Sequence, residues 1–154
     1  MRTVRLVACL LAFTAAALSA QAKTNVKEEV QAFVRAYTEA ANRSDAGAYA
    51  AMYKDSPDLI VVSGGELKRG WSSVRDEANQ MLGTEGSFKI ASGTVDVLPL
   101  GPNRAVAIFP FVINAQTAQG LVQLKGALTL VLEKAAGKWL IIHDHTSYQA
   151  PGPR

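Results

Sequence analysis

Both histidines of the chain and one of its carboxylates sit in three consecutive positions, His143-Asp144-His145, inside a run that begins Trp139-Leu140-Ile141-Ile142 and continues to Tyr148. Such a run reads as a β-strand, whose successive side chains point to opposite faces. His143 and His145 then share one face, while Asp144 and Thr146 share the other with Leu140 and Ile142. One of these faces is expected to line a pocket. A carboxylate desolvated in mid-strand has its pKa raised and becomes a candidate general base. The alternative is an Asp144 that accepts hydrogen bonds and orients its neighbours, and both readings stand. The histidine pair has a spacing that strands use for metal ligation, but a third ligand would have to come from Glu66, Asp96 or Glu133. The reading taken is no metal and no cofactor, with His143 and His145 in a ligand pocket or packed with bonded nitrogens in the sheet or an interface.

Other residues could supply polar contacts. Tyr37 and Tyr53 carry hydroxyls that a ligand could meet, although tyrosines at helical apolar positions are core residues first. Trp71, at a helix start, and Arg75, one turn later, could hold a carboxylate-bearing ligand at a pocket mouth; a structural tryptophan beside a solvated arginine fits equally well. Gln123, Lys125 and Thr129 alternate on one face of a long strand, which is either the cavity or a partly wet dimer surface. Gly64-Gly65 lacks the strand-to-helix setting of a phosphate-binding loop and reads as a turn.

The elements that must position these groups follow from periodicity. Asn25 and Glu28 form a capping-box pattern, and Val26, Val30, Phe33, Val34, Tyr37 and Ala41 recur at helical spacing, which predicts a helix to about Asn42. Asp45 caps a shorter helix carrying Tyr49, Met52 and Tyr53, stopped by Pro57. Leu59 to Ser63 and Glu66 to Arg69 form a hairpin, and Ser72 or Ser73 caps a third helix through Val74, Ala78, Met81 and Leu82. Four β-rich runs follow: Phe88–Leu98, Ala105–Ala115, Gly120–Glu133 and Trp139–Tyr148. Helices first and an antiparallel meander second is an α+β pattern.

The N-terminus predicts a secretory signal peptide over residues 1–22. Arg2 and Arg5 precede the uncharged run Leu6 to Ala17, which a small-residue stretch follows up to Ala20-Gln21-Ala22. The run is shorter than the roughly 20 residues that span a bilayer. Cys9 is the only cysteine of the chain and lies too early for a lipid-attachment box. A mature chain from residue 23 would carry no thiol, so disulfides and thiol catalysis are not expected. Without Arg2 and Arg5 the net charge of +3 falls by two. No basic stripe with interleaved aromatics points to nucleic acid. The expectation is one exported domain, 23–150, periplasmic or secreted, with no membrane contact after cleavage.

Three segments carry a family resemblance: Phe33-Val34-Arg35-Ala36-Tyr37 leading to Asn42-Arg43-Ser44-Asp45, the Lys68-Arg69-Gly70-Trp71 turn, and Gly137-Lys138-Trp139 through Ser147. In order and spacing the chain resembles the NTF2-like superfamily, and within it the SnoaL-like, ketosteroid-isomerase-like exported proteins. The resemblance implies a cone-shaped α+β barrel, three N-terminal helices on a strongly curved, mainly antiparallel sheet, a pocket between them, and a homodimer through the outer sheet face. It does not imply one reaction, because the superfamily spans isomerases, dehydratases, cyclases, hydrolases and non-catalytic binding or assembly domains. Tyr37 falls where ketosteroid isomerases keep an oxyanion-binding tyrosine. Ile60-Val61-Val62 and Gly126-Ala127-Leu128-Thr129, however, offer neither of the acids that mechanism needs. The reading is a pocket for a small hydrophobic or carboxylate-bearing molecule without established catalysis. Its rivals are a cofactor-free lyase, isomerase or hydrolase with Asp144 as base and Tyr37 as oxyanion donor, and a homo-oligomeric assembly module.

Overall fold

A computed structural model of the chain describes residues 25–83, 88–117 and 120–150. The expected signal peptide, 1–22, lies outside these residues. Among the described residues no helix is long and apolar enough to cross a membrane. Three helices, α1 (25–42), α2 (Ala46–Ala50) and α3 (Trp71–Leu82), pack on a curved, unclosed seven-stranded sheet. The strands are β1 (Ile60–Ser63), β2 (Glu66–Arg69), β3 (Phe88–Ser92), β4 (Asp96–Gly101), β5 (Arg104–Thr117), β6 (Gly120–Ala135) and β7 (Lys138–Tyr148). Their order is β2-β1-β7-β6-β5-β3, with β4 also on β5; β1 runs parallel to β7 and every other pairing is antiparallel.

Helix α1 buries Val26, Val30, Val34, Tyr37 and Ala41, the stripe its periodicity predicts, against Ala105, Ala107, Phe109, Leu130, Leu132 and Ile141 of the sheet. Polar ties hold it at both ends. Glu29 accepts from Lys134 Nζ at 2.6 Å and from Trp139 Nε1 at 2.8 Å, bonds that hold its carboxyl below the usual range. At the other end Asn42 acts as a strand partner for β3, donating to the Ile90 carbonyl at 2.9 Å and accepting from the Ile90 N–H at 2.8 Å.

The single run expected over Phe88–Leu98 is two strands, β3 and β4, both on the same edge of β5. Pro110 lies opposite the break. It has no N–H, so the ladder lapses there, and its carbonyl instead accepts from Gly93 at 2.8 Å. Helix α3 starts at Trp71 rather than after a serine cap. Gly70, at φ 80°, turns the chain into it, and Ser73 Oγ bonds back to the Gly70 carbonyl at 2.8 Å. Gly64 and Gly65, at φ 59° and 87°, make the expected tight turn between β1 and β2.

Gly126 of β6 has a specific packing duty. A Cβ there would collide with the Ser147 carbonyl of β7 and with the ring of Phe111 on β5, which lies over the glycine and meets Tyr148 edge-on at 5.9 Å. We expect Gly126→Val to cost about 1–3 kcal/mol, as overpacking does. The check is a lower urea midpoint with an unchanged denaturant slope.

Candidate functional site

One irregularity in β7 decides which residues face inward. Leu132 of β6 pairs with Ile141 but the preceding Val131 pairs with His143, so Ile142 is an extra, bulged residue. Up to the bulge Trp139 and Ile141 point inward; beyond it the phase shifts, and Asp144 is buried while His145 is exposed. Asp144 thus shares the inner face with Trp139 and Ile141, not with Leu140 and Ile142 as strict alternation predicts. The shift brings an apolar half-strand and a carboxylate to the same side.

A second irregularity brings Tyr53 to that carboxylate. Asp45 caps α2 as expected, accepting from the Ala48 N–H at 2.8 Å, but the helix ends at Ala50. Met52, Tyr53 and Lys54 are drawn off as a short extended piece beside β7. There Ile141 N–H donates to the Met52 carbonyl and Lys54 N–H to the Ile141 carbonyl, each at 2.9 Å. Tyr53 therefore leaves the helical face assigned to it by spacing, and its hydroxyl donates to Asp144 Oδ2 at 2.6 Å. Thr146, two residues on along the same face, donates to Oδ1 at 3.2 Å.

Two further tyrosines close the cluster. Tyr37 from α1 and Tyr49 from α2 have hydroxyls 2.5 Å apart, and these lie 3.1 Å and 3.3 Å respectively from that of Tyr53. These groups line a cavity of about 70 Å³ between the helices and the inner sheet face, with apolar walls that include Val61, Met81, Phe111 and Leu128. On that measure a single water needs about 10–15 Å³, so the space admits a compact organic group. Tyr148 stands exposed at its margin, so all four tyrosines of the chain contribute to the wall.

The electrostatics follow from burial. Desolvation pushes Asp144 up to about 6 from its usual range; the bonds from Tyr53 and Thr146 oppose that rise and the nearby Glu77 carboxylate adds to it. Desolvation also raises Tyr37, Tyr49 and Tyr53, with the Asp144 charge acting in the same direction, so the three phenols stay protonated at neutral pH. Glu77 lines the cavity too and is paired with Lys68 at 3.0 Å. Among the described residues that line the cavity there is no lysine, arginine or histidine.

Of the residues singled out in the sequence, Tyr37, Tyr53 and Asp144 come together around this cavity. Four others read as pocket residues, His143, His145, Trp71 and Arg75, lie away from it. His143 donates from Nδ1 to the Ile60 carbonyl of β1 at 3.0 Å, and His145 is exposed on the outer face. Trp71 donates its indole N–H to the Ala50 carbonyl at 2.8 Å, tying α3 to α2. Arg75 stacks over the Trp71 ring at 5.6 Å and bonds Asp76 at 2.8 Å. Among the described residues no three of His, Cys, Asp and Glu gather as metal ligands, and Glu133 is engaged with Lys54 at 2.8 Å and Arg104 at 3.2 Å. Sequence reasoning missed Tyr49 and Glu77 as site residues. Tyr49 and Tyr53 are four apart, but that spacing signals only a shared helical face.

Residues 30–151 match the SnoaL-like domain. No curated protein sequence matches the chain. Among solved structures, a nuclear transport factor 2-like superfamily protein from Salmonella enterica serovar Typhimurium superposes with a TM-score of 0.75 at 21% identity, covering 85% of this chain and 96% of that one. A candidate scytalone dehydratase from Novosphingobium aromaticivorans gives 0.76 at 9% identity, covering 85% and 89%. The association domain of C. elegans CaMKII gives 0.66 at 15% identity, covering 80% and 96%. At these identities the likeness is one of fold.

The raised Asp144 pKa carries a stability signature. The folded state holds this proton more tightly than the unfolded chain does. The associated stability is therefore fully present below about pH 4 and is lost as the pH rises to about 6. Asp144→Asn removes the charge, so the variant should gain stability over the parent at pH 8, on the order of 3 kcal/mol at about 1.4 kcal/mol per pKa unit, and show little gain at pH 3.5. Urea denaturation of both proteins at the two pH values checks this. Glu29 and Glu133 titrate in both, so the difference isolates Asp144.

Proposed function

The chain belongs to the SnoaL-like domain family, and on that premise we propose that it binds a small organic molecule in the cavity beneath its helices, with the molecule's polar end against the tyrosine and Asp144 network. The observation that carries this reading is the buried Asp144 carboxylate, bonded to Tyr53 and Thr146 at the wall of an otherwise apolar cavity. A purely structural core would gain from replacing such a group by an apolar one of similar shape, because desolvating a charge is costly. A polar floor under apolar walls is also the usual layout of a small-molecule site. The signal-peptide pattern of residues 1–22 supports export to the periplasm or beyond. The apolar side chains on the outer sheet face, among them Leu98 and Ile108, support a homodimer through that face. The association-domain neighbour is compatible with an assembly role for this fold, and such a role is compatible with an occupied cavity.

A second reading has a specific observation in its favour. A carboxylate titrating near 6 is poised to take and return protons near neutral pH, and Tyr37 and Tyr53 stand within one hydrogen-bonded cluster with it. In a cofactor-free lyase, isomerase or hydrolase, Asp144 would remove a proton from the bound molecule while a tyrosine hydroxyl stabilises the oxygen that gains charge. The candidate scytalone dehydratase among the fold neighbours is compatible with that chemistry.

Protein isolated from its source organism should carry a small organic molecule that native mass spectrometry detects at up to one per chain. Tyr53→Phe leaves Asp144 without its shortest donor and should lower the occupancy about tenfold, in keeping with 1.5–3 kcal/mol for hydrogen bonds to charged groups. Empty chains from every preparation, with no thermal shift from a panel of metabolites, would sink the pocket reading. If the released molecule is turned over by the parent and only bound by Asp144→Asn, the catalytic reading holds.

A further inference from the structure

The direction of the hydrogen bonds around Asp144 defines what the cavity can recognise. Each tyrosine hydroxyl has one proton to give. With Asp144 ionised, the 2.6 Å bond to Oδ2 uses the proton of Tyr53. Tyr53 must then accept from a neighbour, and of the two hydroxyls beside it Tyr37 is nearer, at 3.1 Å against 3.3 Å for Tyr49, which assigns the donor role to Tyr37. In the 2.5 Å contact between Tyr37 and Tyr49 the donor must in turn be Tyr49. Along the shorter contacts the protons run from Tyr49 through Tyr37 and Tyr53 to Asp144; exchanging Tyr37 and Tyr49 in that order uses the same protons, and in neither order is one left for a ligand. Thr146 likewise spends its proton on Oδ1.

The unused capacity is all of one kind. The Tyr49 oxygen heads the chain, receives no proton from it, and retains lone pairs; Asp144 Oδ1 has room for a second donor; and Glu77 brings another carboxylate to the same wall. No cationic side chain among the described lining residues offsets the two acids, and Lys68 is paired with Glu77 from outside the lining. Arg75, the cation that could have met a carboxylate, is bonded to Asp76 and lies away from the cavity.

We propose that this cavity selects molecules whose polar end donates a hydrogen bond, a hydroxyl or an ammonium group, and disfavours carboxylates and bare carbonyls of the same skeleton. The inference rests on the cavity being a ligand site and names the chemistry of its ligand. A donor adds to the chain at its open end without breaking any link. A carbonyl can be served only if one of the three tyrosines withdraws a proton already in use, which leaves a buried oxygen short of its donor. A carboxylate meets that cost and the repulsion of Asp144 and Glu77 as well. An ammonium group gains from both acids and from the electron-rich tyrosine rings.

Four probes with one skeleton test this at pH 8: benzyl alcohol, benzylamine, benzaldehyde and benzoate, each titrated into the purified protein and followed by tyrosine ring resonances in NMR. Benzyl alcohol and benzylamine should bind at least tenfold more tightly than benzaldehyde, and benzoate should be the weakest. Tyr49→Phe, which removes the open acceptor, should weaken the two donors severalfold and leave benzaldehyde unchanged. Benzoate or benzaldehyde binding as tightly as the donors overturns the proposal. So does failure of all four probes when protein from the source organism carries a molecule with no donor group. In that case the site is real and only its selectivity has been misassigned. If source-isolated protein is also empty and no metabolite binds, the ligand-site reading itself falls.

Discussion

A carboxylate on the inner face of a curved sheet is tolerated only if the fold brings donors to it, because an unpaired buried charge costs several kcal/mol. Asp144 is that group, and much of the local architecture is arranged around it. The bulge at Ile142 turns it inward. The two backbone bonds between Ile141 and the Met52–Lys54 segment end α2 early and deliver the Tyr53 hydroxyl to Oδ2. Thr146 serves the other oxygen from the same strand face. The residual penalty appears as a pKa near 6, so the carboxylate remains stressed even with its donors in place.

The tyrosines extend this arrangement from one strand to two helices. Tyr37 sits on α1, which is fixed by Glu29 at the β6–β7 end and by Asn42 at β3, so its hydroxyl is placed by contacts on opposite sides of the sheet. Tyr49 comes from a helix of a single turn and more, held by the Asp45 cap and by the bond from the Trp71 indole to Ala50. Trp71 is thus a fastening between α2 and α3. A hydroxyl chain built from three separate elements acts as a rigid unit only because each element is tied down independently. Such a chain also has one proton direction at a time, which couples the charge state of Asp144 to the wall that a ligand meets.

The space in front of this chain exists because the sheet bends without closing. Pro110 interrupts the ladder and lets β3 and β4 share one edge of β5 as separate strands, while Gly126 leaves room for the Phe111 ring, which forms part of the cavity wall. Both residues act by omission: one lacks a donor and the other a side chain. The apolar lining and the polar floor therefore depend on backbone exceptions as much as on the side chains themselves.

Element types, their order and the α+β class were legible in the sequence because they depend on local periodicity. Valines and alanines at helical spacing could bury only one side of α1, and the β-rich runs after Leu82 could only form a sheet. The capping Asp45 and the Gly64-Gly65 turn were legible for the same reason, and the resemblance to NTF2-like proteins supplied the arrangement. Asp144 stood out because a charge in an apolar strand is conspicuous in any fold. Three things were decided by tertiary structure alone. The phase of β7 depends on a bulge that pairing with β6 creates, and no count of alternating residues locates it. Tyr53 joins Asp144 because α2 yields to hydrogen bonds from a strand 88 residues away in the chain (Tyr53 to Ile141). Histidines that look like chemistry in sequence face outward or bond to backbone because the same bulge that turns Asp144 inward turns them away. Local pattern determines what an element is, and only its pairing with distant elements determines which side of it does the work.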